Sequence, residues 1–337
     1  MGNAYGIDIG TSNFKMCCSD KDKILNEKNI IAIANKTEIL AFGDEAYEMY
    51  EKAPEHIEVS FPVKFGVIAD IENMQTLLFN FFNKINEGKK ITGSDFYIAV
   101  PTDVTEVEKR AFYELVVDSK VKAKNVYVVD KPDADAIGAG LDVTKSKGIM
   151  IVNIGAQSTQ FSVITDGKII IARKIPIGGR QMNEAICNEI RKRYNLQIGT
   201  RTGKRLKLAM GRLNDQRKDA RKVVGIDGIS GLPREEVISG YVVNAGIMNC
   251  VNEIAAEMKT FLERIPPQIS YHIARQGIYI TGGSTRLPYI DQYLASYTGF
   301  TFNLSDLYEK SAVTGLEKII RNKDLRKWAV PVTQRKL

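Results

Sequence analysis

Apolar and polar positions along the chain fall into two rounds of one pattern. The opening "AYGIDIGTSNFKMCCSD" alternates through a tight Gly turn and predicts strand, turn, strand. "ILNEKNIIAIANKTEILAFG" adds short strands ending near Gly43, and "DEAYEMYEKA" predicts a short helix. "MQTLLFNFFNKINE" places apolar residues at helical spacing, and "DFYIAVP" predicts a buried strand stopped by Pro101. Thr105 and Glu108 carry a capping-box signal at the start of the helix "EVEKRAFYELVVDSK". "NVYVVD" predicts another strand and "ADAIGAGLD" a helix of small residues.

The pattern then restarts. "GIMIVNIGAQSTQFSVITDGKIIIARKIPIGG" predicts hairpins and "RQMNEAICNEIRKRYNL" a helix. A basic segment follows, read as helical, then short strands around Gly231. A long helix is expected from about Val243 to Glu263, stopped by Pro266-Pro267. "GIYITGGSTRL" predicts a strand, a Gly turn and a helix, and "AVTGLEKIIRN" a last helix. "GIDIGTSNFKM" and "IVNIGAQSTQFSV" share strand, Ile-Gly turn, small hydroxylic residues and strand, which makes Asp8 and Asn153 equivalent, 145 residues apart. Two α/β halves, each opening on such a hairpin, are expected to set their turns face to face across a cleft, and domain interfaces are favoured ligand sites.

The turns suit polyphosphate. Glycine lets the backbone approach an anion, and successive amides form an anion-binding nest. Gly10-Thr11-Ser12-Asn13 fits the first turn, and Gly155-Ala156-Gln157-Ser158 fits the second less generously. Thr281 to Arg286, "TGGSTR", is a third Gly turn at a strand end.

Composition narrows the class. A chain of 337 residues suits about two domains. Its 44% hydrophobic and 26% charged residues are those of a globular protein. No run approaches the roughly 18 apolar residues of a membrane span, and the N-terminus has no signal-peptide pattern, so a cytoplasmic protein is expected. Cys17, Cys18, Cys187 and Cys250 lack zinc-ligand spacing, and His56 and His272 are the only histidines. A histidine triad or zinc centre is therefore excluded. The net charge of +7 permits contact with acidic surfaces. Nine basic residues lie between Arg201 and Lys222 (Arg201, Lys204, Arg205, Lys207, Arg212, Arg217, Lys218, Arg221, Lys222), opposed by Asp215 and Asp219 alone. No aromatic residue interleaves them, so they read as a solvated helix face and not as a sequence-specific nucleic-acid surface.

Longer stretches carry a resemblance. "GIDIGTSN", "FPVKFGVIADIE", "VPTDVTEVEKRAF", "AIGAGLDV", "IPIGGRQMNEAI", "RYNLQIGTRT", "ISGLPREEVIS", "LERIPPQIS" and "GIYITGGSTRLP" together resemble the actin superfamily, and within it the bacterial rod-shape actins of the MreB/Mbl family. The match covers nearly the whole chain and separates it from the sugar kinases and heat-shock chaperones that share the ATPase core. The resemblance implies an α/β, two-domain, four-subdomain fold with a duplicated ribonuclease-H-like core. Domain I would take residues 1–143, with a small subdomain about 30–64 and the C-terminal helix about 311–337. Domain II would take residues 144–310, with a small subdomain about 181–240.

It also implies ATP or ADP with Mg²⁺, and filaments that guide cell shape and wall synthesis. Carried over by position, Thr11, Ser12 and Asn13 would hold the phosphates, and Gly155, Ala156, Gln157 and Ser158 would form the second phosphate loop. Gly178, Gly179, Lys204 and Lys207 would flank ribose and base. Gly282, Gly283, Ser284 and Thr285 would contact the adenosine. Asp8 would face the metal through water, with Asn153 at the second position.

Three departures fall in this site. Asn153 stands where the family has a metal-facing Asp, "GAQS" replaces a run of glycines followed by Thr, and Lys131 replaces a Glu that positions the attacking water. Ser158 and Lys131 thus occupy catalytic positions in impaired form. The site is three charges more positive than the family pattern, one from Asn153 and two from Lys131. Nucleotide binding with slow or absent hydrolysis is expected, with metal dependence left open, unless Asp130, Asp133 or Asp135 replaces the missing Glu. Expected partners are further copies of the chain, a paralogous actin, wall-elongation membrane proteins and the inner membrane surface. For that surface the chain offers Lys89, Lys90 and Ile91 in "NEGKKITGSDF", and Trp328 in its basic tail. The competing readings are a plasmid- or organelle-positioning filament and a non-polymerising small-molecule kinase.

Overall fold

The structure, a computed structural model, describes residues 3–214 and 219–331. The chain divides into two compact units, Met1–Ser146 with Glu309–Leu337, and Lys147–Tyr308.

In the first unit the opening alternation becomes the antiparallel strands Ala4–Ile9 and Asn13–Cys18, extended by Lys21–Lys28. On its other side Ala4–Ile9 runs parallel to Asp95–Val100, which runs parallel to Asn125–Asp130. The short strand Val330–Pro331 closes that edge. Parallel strands are covered on both faces and read as near-continuous apolar runs; Phe96, Ile98 and Val100 are accordingly buried. The amphipathic helix Ile71–Ile85 supplies Phe81 and Phe82, whose rings lie 4.8 Å from Phe14 and 5.0 Å from Tyr5. Helix Glu106–Val117 opens on the capping box read from the sequence. Glu108 N–H donates to Thr105 Oγ1 at 3.2 Å, and Thr105 N–H donates to the Glu108 carboxylate at 2.7 Å.

Two glycines bring the C-terminal part of the chain onto this unit. A Cβ on Gly315, in the helix Ser311–Arg321, would lie 1.9 Å from the Ala134 carbonyl oxygen. One on Gly138, in the helix Lys131–Gly138, would lie 2.0 Å from that of Ser311. The two helices therefore touch backbone to backbone.

The second unit repeats the layout. Ile149–Ile154 and Thr159–Thr165 form the hairpin, Lys168–Ile175 flanks it, and Ile278–Thr281 and Phe302–Leu304 follow in parallel on the other side. Counted outward from the hairpin, strand order is the same in both units, so the sequence repeat is a structural one. Helices Gly179–Tyr194 and Gly240–Leu262 cover this sheet, burying Ile186, Ile190, Ile247 and Ile254. Each unit also carries a small antiparallel sheet. In the first it is Ile31–Ala34 with Glu38–Phe42 and Ile57–Ser60; in the second, Ala220–Asp227 with Leu196–Gln197 and Pro233–Ser239.

The basic segment is not one helix face. Arg201, Lys204, Arg205 and Lys207 lie on helix Thr200–Met210, and Arg212 lies past its end. Arg221 and Lys222 sit on a strand. Asp215, Arg217 and Lys218 lie outside the described residues. The strand is held by its antiparallel pairing along Pro233–Ser239, and burial alternates at its end, with Gly225 and Asp227 buried and Val224 and Ile226 exposed. After "TGG" the chain makes only the 3₁₀ turn Gly283–Arg286, and a helix begins beyond Pro288 at Ile290. The small-residue helix starts earlier than its composition suggests, at Lys131. Ile91 packs on the first unit's core while Lys89 and Lys90 are exposed. Trp328 is half-buried, with its indole nitrogen shut away from solvent. Among the described residues no helix is long and apolar enough to cross a membrane.

Candidate functional site

The first hairpin turn closes through Gly10 N–H, which donates to the Asn13 carbonyl at 3.1 Å. A Cβ on Gly10 would lie 2.7 Å from that carbonyl oxygen, so the turn requires glycine. The strand ladder ends at Ile9 and Phe14 and leaves the amides of Thr11 and Ser12 beyond it. Their side chains are held by neighbours. Gly66 N–H donates to Thr11 Oγ1 at 3.1 Å, and Ser12 Oγ donates to Asn13 Oδ1 at 3.0 Å. Asn13 Nδ2 donates to Asn26 Oδ1, and Lys28 Nζ donates to Asn13 Oδ1, both at 2.8 Å. The fully buried Asn29 donates its Nδ2 to the Gly10 carbonyl at 2.9 Å.

Turn closure fixes the register below it, setting Asp8 opposite Lys15. Lys15 Nζ donates to Asp8 Oδ2 at 2.8 Å. Lys131 Nζ donates to the other oxygen, Oδ1. Lys131 comes from the end of Asn125–Asp130, two strands away, and its long side chain spans the gap. Burial alone would raise the Asp8 pKa, but the Lys131 and Lys15 ammoniums outweigh it and hold the carboxyl well below the usual carboxylate range. Burial works against the Lys131 ammonium in turn, yet Asp8, followed by Asp135, raises its pKa.

The other two acids of this segment behave differently. Burial raises the Asp130 pKa against the pull of Lys109. Burial, and then the Asp130 charge, push the Asp133 carboxyl up to about 7. Its Oδ1 is buried with no hydrogen-bond partner among the described residues.

A hydrated Mg²⁺ beside a polyphosphate is usually tied to the protein by one or two carboxylates. Here both oxygens of Asp8 are taken by ammoniums, and the equivalent Asn153 is uncharged. Among the described residues no cluster of three or more His, Cys, Asp or Glu could hold a metal ion. The donors present do not fit Mg²⁺; they fit an ammonium.

The second hairpin reproduces the closure. Gly155 N–H donates to the Ser158 carbonyl at 2.9 Å, and Asn153 stands opposite Gln160, 145 residues after the Asp8–Lys15 pair. The charged pair of the first unit is thus a neutral pair in the second. Other segments converge on this turn. Gly179 N–H and Ser284 Oγ both donate to the Gly155 carbonyl, at 3.0 and 2.8 Å, and Arg180 N–H donates to the Ala156 carbonyl at 2.6 Å. A Cβ on Gly178 would lie 2.7 Å from the Gly155 carbonyl oxygen. Lys207 Nζ donates to the Gly179 carbonyl at 2.6 Å, and burial, with the neighbouring Lys204 ammonium, brings its pKa down to about 8. Gly282, at φ +96°, passes so close to Ile154 that a Cβ would lie 2.4 Å from its carbonyl oxygen. Thr285 turns its hydroxyl inward to the Gly282 carbonyl at 2.7 Å, while Gly283 is exposed. Gly155 to Ser158, Gly178, Gly179, Lys207 and Gly282 to Thr285 therefore form one cluster in the second unit.

The model of the MreB/Mbl protein family matches residues 2–327. The chain belongs to this family. It is 35% identical over 292 residues to the cell shape-determining protein Mbl of Bacillus subtilis, covering 86% of this chain and 87% of that one. It is 30% identical over 305 residues to the cell shape-determining protein MreB of Escherichia coli K12, covering 88% and 87%. Its structure superposes on MreB5 of Spiroplasma citri bound to AMPPNP with TM-score 0.90 at 27% identity, over 97% of this chain and 98% of that one. A MamK double helical filament shares the fold, with TM-score 0.79 at 18% identity over 96% and 99%. The fold of this MreB/Mbl chain is actin-like.

Sequence reading singled out Lys131 but missed Lys15, on the same carboxylate, and Lys28, on Asn13. Lys15 interrupts the buried strand "NFKMCC", and that break in an apolar run was the available signal. Lys28 could be placed only once the third strand was paired with the second, opposite Asn13.

Proposed function

We propose that this MreB/Mbl chain is a cytoskeletal actin-like protein that binds adenine nucleotide, assembles with itself into filaments and acts in cell shape and wall morphogenesis, with ATP hydrolysis slow or absent. The names of its Bacillus and Escherichia relatives support the shape role. The AMPPNP and ADP complexes of the Spiroplasma relative support the nucleotide, and the MamK filament supports self-assembly. Thr11, Ser12 and Asn13 are the phosphate contacts of the first unit, and Gly155 to Ser158 those of the second. Gly178, Gly179, Lys204, Lys207 and Gly282 to Thr285 flank the nucleoside.

One observation carries the loss of hydrolysis: the side chain at the water-positioning place is an ammonium engaged with Asp8. A cation cannot accept a proton from water, and losing a water-orienting group costs roughly two to four decades in rate. Asn153 and Lys131 also disfavour the kinase reading, which needs a catalytic carboxylate near the second loop. Phosphate release from purified protein, beside the double variant Lys131→Glu/Asn153→Asp and an active bacterial actin, tests the reading. Release by the unmodified chain at the control's rate overturns it. Electron microscopy with ATP, with ADP and without nucleotide tests assembly; absence of polymer in all three rejects the filament. A subunit poor in hydrolysis suits copolymerisation with an active paralogue and attachment to wall-elongation membrane proteins. Association with the cytoplasmic face of the membrane is tested by liposome flotation of the full chain against one ending at Asn322.

A further inference from the structure

The first hairpin turn is surrounded by fixed positive charge. Lys15 and Lys131 grip the two oxygens of Asp8 at the foot of the turn, and Lys28 is bonded to Asn13 at its far end. The Lys15 ammonium lies 3.3 Å from where a Cβ on Gly10 would be, directly beneath the turn. The acids near this group are Asp8 itself, Asp135, which acts on Lys131, and Asp44, whose Oδ1 accepts from Lys28 N–H at 3.2 Å. At Asp8 itself two ammoniums meet one carboxylate, so this contact is net positive before any ligand arrives. A carboxylate pair awaiting a dication would be net negative. At the equivalent position of the second unit, Asn153 and its cross-strand partner Gln160 are both neutral.

A dication normally does two jobs beside a polyphosphate: it neutralises the anion, and it ties the phosphate oxygens to an acidic protein group. Here the Asp8–Lys131 pair already joins an acid to a cation, and that cation is covalently part of the chain. An ammonium carries three donors, so contact with Asp8 aims the group without exhausting it. Resting on the nucleotide-binding reading above, we propose that the Lys131 ammonium takes the place of the divalent cation, and that the ligand of this chain is the metal-free nucleotide di- or triphosphate. A nucleotide already complexed to a dication would bring a second cation toward Lys131 and lose affinity through like-charge repulsion.

The test is calorimetric titration of the full chain with ATP and with ADP, once in excess EDTA and once in excess MgCl₂. The expected result is binding in EDTA at least as tight as in MgCl₂. Binding that requires MgCl₂ overturns the proposal and leaves nucleotide binding standing. Absence of binding in both buffers overturns the nucleotide reading and this proposal with it. Lys131→Met should weaken binding in EDTA about tenfold or more, the worth of one charge-assisted hydrogen bond, and MgCl₂ should then restore part of it. Lys131→Arg keeps the cation and should keep metal-free binding. It also controls for folding: if Lys131→Arg binds and Lys131→Met does so equally well in EDTA, the role assigned to this side chain is wrong.

Discussion

Replacing Asp8 by Asn removes the one negative charge that two buried ammoniums share. Asp8 is 1% exposed and Lys15 5% exposed, so neither Lys15 nor the new amide gains water to compensate. Breaking a buried pair by deleting one partner costs about 3–5 kcal/mol, because the other charge is left uncompensated. The Lys131 side chain is 17% exposed and recovers part of its hydration, which places the expected cost near the lower end, about 3 kcal/mol. For a unit of this size that lowers melting by about 6–12 °C. Lys131→Met should cost less, about 1–3 kcal/mol, since Asp8 keeps Lys15. The double variant Asp8→Asn/Lys131→Met should cost less than the two single changes added together. A chain of two units need not melt in one step. Hydrogen exchange on peptides covering residues 4–18 and 125–138 therefore reads the first unit directly, with peptides from 149–165 as internal control. The pH dependence has a definite sign. The folded pKa of Asp8 lies below its ordinary 3.8, so its contribution is complete above about pH 4 and is lost as pH falls further. Lys131 is raised above 10.5, so its contribution is complete below that value and fades as pH climbs past it. Unchanged protection in Asp8→Asn, or strict additivity in the double variant, refutes the shared-charge account.

Asp133, raised to about 7, holds a proton that the unfolded chain gives up near pH 4. Stability should therefore fall as pH rises between about 4 and 7, by at most about 1.4 kcal/mol per pH unit. Asp133→Asn should flatten thermal melting across that window, and an unchanged slope would show that another group carries it. Gly315→Ala should destabilise the first unit by about 2 kcal/mol, because overpacking of up to ~3 kcal/mol outweighs the ~1 kcal/mol gain in helix propensity. Denaturant titration reads this, and a stabilised variant would mean that the helix contact at Ala134 is looser than 1.9 Å implies. Gly178→Ala should push Gly155 and Ala156 out of place and lower nucleotide affinity about tenfold, roughly the worth of one misplaced charge-assisted contact, while melting moves little. Equal affinity in calorimetry would remove that loop from the site.

What the sequence made legible follows the reach of its signals. The hairpins, the capping box at Thr105 and the long helix ending before Pro266 are local patterns, and each is present in the structure. The basic run failed because charge count stood in for pattern: "ARKVVGID" has neither helical nor alternating apolar spacing, and its strand is set by pairing with Pro233–Ser239. Gly138 and Gly315 lie far apart in the chain, and no periodicity announces that each clears the other helix's backbone.

The cation beside Asp8 belongs to both classes. Its first half was readable, because a turn closed by Gly10 on Asn13 places Lys15 opposite Asp8 by counting. Its second half was not, because Lys131 reaches Asp8 only after the parallel strand order sets Asn125–Asp130 two places away. The substitution at position 131 read alone suggests a loss, a base exchanged for a cation that cannot do its work. Placed in the fold, it is one end of a bond, and the acid at the other end is the one the resemblance sets facing a metal. Glu restored at position 131 would face Asp8 as a like charge with only Lys15 between them, so without an added cation the change should cost stability. Recovery of hydrolysis in Lys131→Glu/Asn153→Asp should accordingly require added Mg²⁺, and Lys131→Glu in EDTA should lose stability without gaining rate.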